Sequence, residues 1–171
     1  MGQYFGKYRG TVINNIDPEM RGRLMIMVPD VLNLIPSTWA EACTPLAGPT
    51  GPPMGVFMVP PIGAGVWVEF ENGDADYPIW VGCRWGAASD IPTLAKAGLP
   101  IAPNIVLQSL GQNSLVIGDL PGPIGGIMLK STTGASIIVN DTGIYIQNGK
   151  GASITLVGPA VTINQGALTV I

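Results

Sequence analysis

From Ile127 to Val170 the chain repeats one short pattern, in which two aliphatic residues flank a middle position. The six copies are Ile127-Met128-Leu129, Ile137-Ile138-Val139, Ile144-Tyr145-Ile146, Ile154-Thr155-Leu156, Val161-Thr162-Ile163 and Leu168-Thr169-Val170. They begin 10, 7, 10, 7 and 7 residues apart. In an extended chain the first and third residues of each triplet share one face, which predicts strands. The middle position is Thr in three copies and Tyr in one, residues suited to a half-exposed β surface. The intervals leave no room for helices. The connections are therefore turns, and Thr133-Gly134, Asn140-Asp141-Thr142-Gly143, Asn148-Gly149-Lys150-Gly151 and Asn164-Gln165-Gly166 carry turn chemistry.

Two further strands are predicted upstream, Ile105-Val106-Leu107-Gln108-Ser109 and Ser114-Leu115-Val116-Ile117, with a loop at 118–123 before the triplets. The region 105–171 thus reads as strand and turn throughout. Residues 88–104 break the pattern with Pro92, Pro100 and Pro103 and read as a Pro-rich linker in which only Thr93 to Ala97 suits a helical turn. Residues 1–87 read as a compact β-domain. Its strand candidates are Gly10–Asn14, Gly22–Val28, Trp39–Cys43, Val56–Val59, Gly65–Glu71 and Pro78–Trp85. Five or six strands with long loops and no convincing helix fit a small Greek-key barrel of the OB type.

Composition sharpens this all-β reading. Glycine (24) and proline (16) are abundant, as many turns require, while 47% hydrophobic residues argue for folded structure. Only 11% of residues are charged, and from Gly125 to Ile171 the only charges are Lys130, Asp141 and Lys150. A sheet facing water on one side would carry more. A tail of this size is also near the limit, roughly 40 to 60 residues, below which a chain buries too little surface alone. Partner copies are the expected remedy, as in stacked-repeat proteins. The alternative is a β-meander forming half of an ordinary sandwich.

Other classes lose ground on charge and residue type. A net charge of −3 argues against a nucleic-acid partner, whose binding needs a cationic footprint. No apolar run reaches the roughly 18 residues of a bilayer span. The N-terminal residues lack the apolar core of a signal peptide, so synthesis in the cytoplasm is expected. Histidine is absent, which removes the commonest general base and metal ligand. Cys43 and Cys83 lack metal-type spacing and are expected to be buried free thiols.

At this point the residues resemble a known family, the baseplate spikes of contractile injection machines: phage baseplate assembly protein V and the OB-fold and β-helix portion of type VI secretion spikes. The resemblance rests on Gly10-Thr11-Val12, Asp17-Pro18, Gly22-Arg23-Leu24, Val28-Pro29 and Trp39-Ala40, and chiefly on the stretch from Pro60 to Asp74. That stretch reads P-x-x-G-x-x-V-x-V-x-F-x-x-G-D and is followed by P-x-x-x-G at Pro78 to Gly82. The likeness continues through Ser109-Leu110-Gly111 into the repeats and covers nearly the whole chain. Three departures are visible. Family turns commonly read Gly-Asp-Pro, whereas Ala75-Asp76-Tyr77 follows Asp74 here. Without histidine, the iron-closed tip of some phage spikes cannot apply, and no muramidase-like insert separates barrel and repeat.

The resemblance implies an N-terminal OB-fold-like barrel followed by an intertwined trimeric β-helix or β-prism, without cofactor, metal or catalytic residues. It implies a structural spike assembled into a phage tail or injection particle, driven into a target membrane. Expected partners are two further copies, a hub or tube-adaptor protein at the barrel end, and a PAAR-like tip protein at the C-terminal end. Ile127, Leu129, Ile137, Val139, Ile144, Ile146, Ile154, Leu156, Val161 and Ile163 are the expected trimer core. Leu168, Val170 and Ile171, which close the chain without a polar cap, are the expected tip-docking residues.

The residues that could carry other chemistry have plainer readings. Glu69 and Glu71 share one face of a strand, as paired carboxylates must, but nothing nearby suggests a sugar cleft. They read as solvated or inter-subunit charges. Arg21, Arg23 and Arg84 are too few for a nucleic-acid surface and are expected to pair acidic groups across subunits. Trp39, Trp67, Trp80 and Trp85 are expected in barrel core and trimer contacts rather than as a sugar-stacking platform. The loop from Gly48 to Pro53 lacks the lysine and the strand-to-helix context of a phosphate site. The rival readings are a freestanding OB-fold nucleic-acid binder and a carbohydrate-active β-helix protein.

Overall fold

The structure is a computed structural model and describes residues 2–49, 51–122 and 125–170. The chain divides into two compact units, Met1–Gly86 and Ala87–Ile171. The first is a five-stranded sheet of β1 (Tyr8–Asn14), β2 (Met25–Met27), β3 (Glu41–Ala42), β4 (Gly65–Phe70) and β5 (Pro78–Arg84), in the order β2-β1-β4-β5-β3. The β3–β5 pair is parallel and the other pairs antiparallel. Bulges between Val12 and Asn14 and between Trp67 and Val68 bend the strands. The two ends of the sheet meet where Leu24 and Ala40 exchange backbone hydrogen bonds of 3.1 and 2.7 Å, curling it into a barrel.

Alternation along β4 turns Val66, Val68 and Phe70 inward, as their spacing predicts. They pack with Val12, Leu24, Ile26, Val28, Ala40 and Trp80 into one buried core. Gly10 faces this core because nothing larger fits. A Cβ there would stand 2.5 Å from a methyl of Ile26 and 3.0 Å from one of Val68. Gly63 adopts φ +88 in the turn before β4, a conformation a side chain would strain.

Several expectations change in this unit. Val56–Val59 forms no strand; only a bridge between Ala47 and Gly55 marks a loop hairpin, and Val56, Phe57 and Met58 are exposed. Alternation cannot make a strand where no neighbouring edge is left to pair with. A short helix, α1 (Pro29–Leu32), occurs where none was expected; Pro29 sits in its first turn, where its missing N–H costs nothing. Of the four tryptophans only Trp80 is buried, its indole N–H donating to the Gly22 carbonyl at 3.0 Å; Trp85 is exposed. Cys43 and Cys83 are free but exposed rather than buried.

The second unit is an antiparallel meander of eight strands: β6 (Ile105–Gln108), β7 (Ser114–Gly118), β8 (Gly126–Lys130), β9 (Ser136–Asn140), β10 (Gly143–Gln147), β11 (Ser153–Val157), β12 (Ala160–Ile163) and β13 (Leu168–Val170). Each strand pairs with its sequence neighbours. The uneven 10- and 7-residue spacing now has a cause. Five-residue turns at 131–135 and 148–152 lie along one edge of the sheet, and two-residue turns at 141–142 and 158–159 along the other. Asparagines fix these turns: Asn140 Oδ1 accepts the Thr142 N–H at 2.9 Å, and Asn148 Oδ1 accepts the Lys150 and Ala152 N–H groups at 2.8 and 3.1 Å. The segment before β6 carries 3-10 turns at Ala88–Asp90 and Thr93–Ala97, the latter held by the Asn104 amide donating to the Leu94 carbonyl at 2.9 Å.

Candidate functional site

The strand registers align the triplets into two unbroken rows. One runs Ile105, Ile117, Ile127, Val139, Ile144, Leu156, Val161, Val170, each directly opposite the next. The other runs Leu107, Leu115, Leu129, Ile137, Ile146, Ile154, Ile163, Leu168. Side chains two apart on a strand share a face, so all sixteen aliphatics stand on one side of the sheet. Within the single chain this face is open to solvent. Thirteen of the sixteen are exposed, from 37% at Leu156 to 66% at Ile105. Leu115, Val161 and Ile163 are half-buried.

The opposite face is the more covered one, although it is more polar. Ser114, Val116 and Ser136 are buried there, and the Gln147 amide donates to Ser136 Oγ at 2.9 Å. Its central row is apolar over the first four strands (Val106, Val116, Met128, Ile138) and hydroxyl-bearing over the next three (Tyr145, Thr155, Thr162). The apolar wall is thus the side this chain does not cover. Aliphatic surface on the order of 1,000 Å² exceeds the largest patch of a typical monomer, about 300–600 Å². Within the second unit the eight strands lie in one sheet, so this unit has no second sheet of its own to complete the sandwich weighed as an alternative.

Every residue expected in the trimer core falls on these rows. The rows also contain Ile105, Leu107, Leu115 and Ile117, which the six triplets left out. The signal was present, since Ile105-Val106-Leu107 and Leu115-Val116-Ile117 have the same apolar–middle–apolar form and stand 10 residues apart, but a longer interval of 12 separates Leu115 from Ile127. Leu168 and Val170 extend both rows onto β13, the last strand of the sheet, whose outer edge is unpaired among the described residues. Ile171 lies outside the described residues.

The first unit gathers charge rather than a catalytic site. Asp17 is buried at a turn and accepts the Glu19, Arg21 and Arg23 N–H groups at 3.0, 2.8 and 3.2 Å. The Arg23 guanidinium grips the same carboxylate at 3.1 and 2.7 Å, and chiefly for that reason the Asp17 carboxyl is held well below the usual carboxylate range. Arg23 also lies 5.7 Å from the ring centre of Trp39. Arg21 pairs with Glu19 and Glu41 at 3.2 and 2.9 Å, and Glu69 pairs with Lys7. Arg21, Arg23 and Glu69 therefore find their partners within the chain, where pairing across subunits was expected for the arginines. Although Cys83 is exposed, partial desolvation by its surroundings pushes its thiol up from its ordinary value. Among the described residues no cluster of acidic or cysteine side chains is arranged to hold a metal ion. Among the described residues no helix is long and apolar enough to cross a membrane.

Residues 8–85 match the family model described as the type VI secretion system/phage-baseplate injector OB domain. Residues 104–169 match the model described as the phage baseplate V C-terminal trimerisation domain. The two matches fall one on each unit, and the second spans nearly the entire double row. None of the curated protein sequences matches the chain.

Proposed function

The chain belongs to the baseplate spike family of phage tails and type VI injectors, and we propose that it is a homotrimeric spike whose three apolar sheet faces pack against one another. The trimerisation-domain match supports the copy number. The observation that carries the reading is the continuous double row of sixteen aliphatics on an uncovered face.

Simple dimensions favour three copies. A five-residue strand spans about 17 Å, so a closed triangle of such sheets has walls about 5 Å from its axis, half the ~10 Å at which sheets pack face to face. A closed square would leave walls ~8 Å from the axis, with a void along it. Burying about 1,000 Å² of apolar surface per chain contributes roughly 25 kcal/mol gross, which exceeds the ~4–15 kcal/mol lost as rigid-body freedom. The resulting prism is dry inside and laced outside by continuous backbone hydrogen bonds, a construction that resists axial load. Its role is mechanical: sheath contraction drives it into a target membrane.

The barrel unit, in this reading, seats on a hub, and the last strand carries a tip protein of the PAAR type. Leu168 and Val170 present apolar side chains on an unpaired edge strand, which suits addition of another protein. The test is co-elution of a PAAR-type tip protein with the purified trimer. Leu168→Thr with Val170→Thr, which puts no charge on the end of the apolar wall, weakens co-elution while the trimer persists. Undiminished co-elution of that variant would rule out docking at this end.

A further inference from the structure

The second unit carries six of the chain's charges and they are sorted by edge. Asp119 and Asp141 lie in the connections of the short-turn edge, after β7 and after β9. Lys130 ends β8 at the opposite, long-turn edge, and Lys150 lies in the turn after β10 on that same edge. All four are exposed. Five ion pairs among the described residues lie in the first unit, and none of them includes any of these four charges. Asp141 accepts only the Gly122 N–H, at 3.4 Å. The remaining two charges, Asp90 and Lys96, lie before β6; Asp90 lines the same cleft as Lys130.

A cyclic assembly joins unlike edges: each copy's long-turn edge meets its neighbour's short-turn edge. We propose that the sheet edges are a charge-coded seam between copies, with Asp141 of one copy facing Lys150 of the next and Asp119 facing Lys130. The inference rests on the trimer reading above. The spacing supports it. Copies in a closed ring stand at one height, so each lysine lies one strand beyond its aspartate, about 4.8 Å along the sheet. A lysine's flexible four-carbon stem covers that distance. The offset is the same for both pairs, so one arrangement satisfies both. A copy inserted upside down would set lysine edge against lysine edge. The seam therefore selects three copies pointing the same way, a choice the purely aliphatic interior does not make.

The test uses the intact chain and follows trimer dissociation in Asp141→Lys, Lys150→Asp and the double exchange, with Asp141→Asn retaining an oxygen for the Gly122 amide. Each single reversal speeds dissociation roughly tenfold or more, because three seams each exchange an attraction for a repulsion. The double exchange restores the parent rate, and Asp141→Asn shows a smaller effect that fades in 1 M salt. Asp119→Lys with Lys130→Asp repeats the pattern at the second position. A trimeric parent in which the two reversals simply add, or change nothing, overturns the seam and leaves the trimer standing. A monomeric parent overturns the trimer reading itself.

Discussion

Ile146 on β10 lies directly opposite Ile154 on β11, and the same aliphatic-to-aliphatic facing recurs across every strand pair from β6 to β13. A row of this kind is stable in water only when something apolar covers it. In one chain Ile154 is still 38% exposed.

That exposure makes truncation informative. Ile154→Ala in a solvent-exposed position costs within about 0.5 kcal/mol. In a dry prism it costs about 2–4 kcal/mol per copy, because a cavity is left behind. The urea midpoint for loss of the trimer, followed by light scattering, separates the two cases. A shift too small to measure would argue that Ile154 faces solvent.

Gly10 is expected to be as restrictive as a large core residue. Gly10→Ala drives its Cβ onto Ile26 and Val68 and destabilises the barrel by about 1–3 kcal/mol. All four tryptophans lie in the first unit, so their fluorescence follows barrel unfolding alone. An unchanged denaturation midpoint would mean the core has room that these packing distances deny.

Asp17 makes barrel stability acid-sensitive. Its carboxyl titrates lower in the folded barrel than in the unfolded chain. The stabilisation is therefore fully present above the unfolded value, near 3.9, and drains away as pH falls below about 4. Asp17→Asn loses the Arg23 charge pairing at pH 7 and flattens the acid limb. Tryptophan fluorescence against denaturant from pH 7 to pH 3 gives both readings. A variant with the parent's acid slope would remove Asp17 from this role.

Both thiols are accessible in the folded chain. Thiol labelling without denaturant is expected to modify Cys43 and Cys83, with Cys83 the slower because partial desolvation raises its pKa and lowers its thiolate fraction. Labelling that waits for urea would contradict the exposure.

Much of this was legible before any coordinates. Alternation named the inward residues of β4, since Val66, Val68 and Phe70 differ so sharply from Trp67 and Glu69. The triplets named ten of the sixteen wall residues as core and two more, Leu168 and Val170, as a terminal surface. Register was not legible, because spacings of 10 and 7 fix turn lengths only once each turn is assigned to an edge. Nor were the partners of Arg21 and Arg23: a turn supplies Asp17 and Glu19, but Glu41 reaches Arg21 only through the folding of the barrel. Val56–Val59 misled because apolar residues in a loop look like a strand until the sheet's edges are counted.

The central claim is that the double aliphatic row is the interior of a trimer. Its most direct test is the mass in solution of Ile146→Asp measured beside the parent chain, which places three carboxylates inside the proposed prism. With a chain mass of 17.8 kDa, the parent is predicted at three times that value, about 53 kDa, and the variant at the single-chain mass. Equal masses for the two, at either value, would contradict the account.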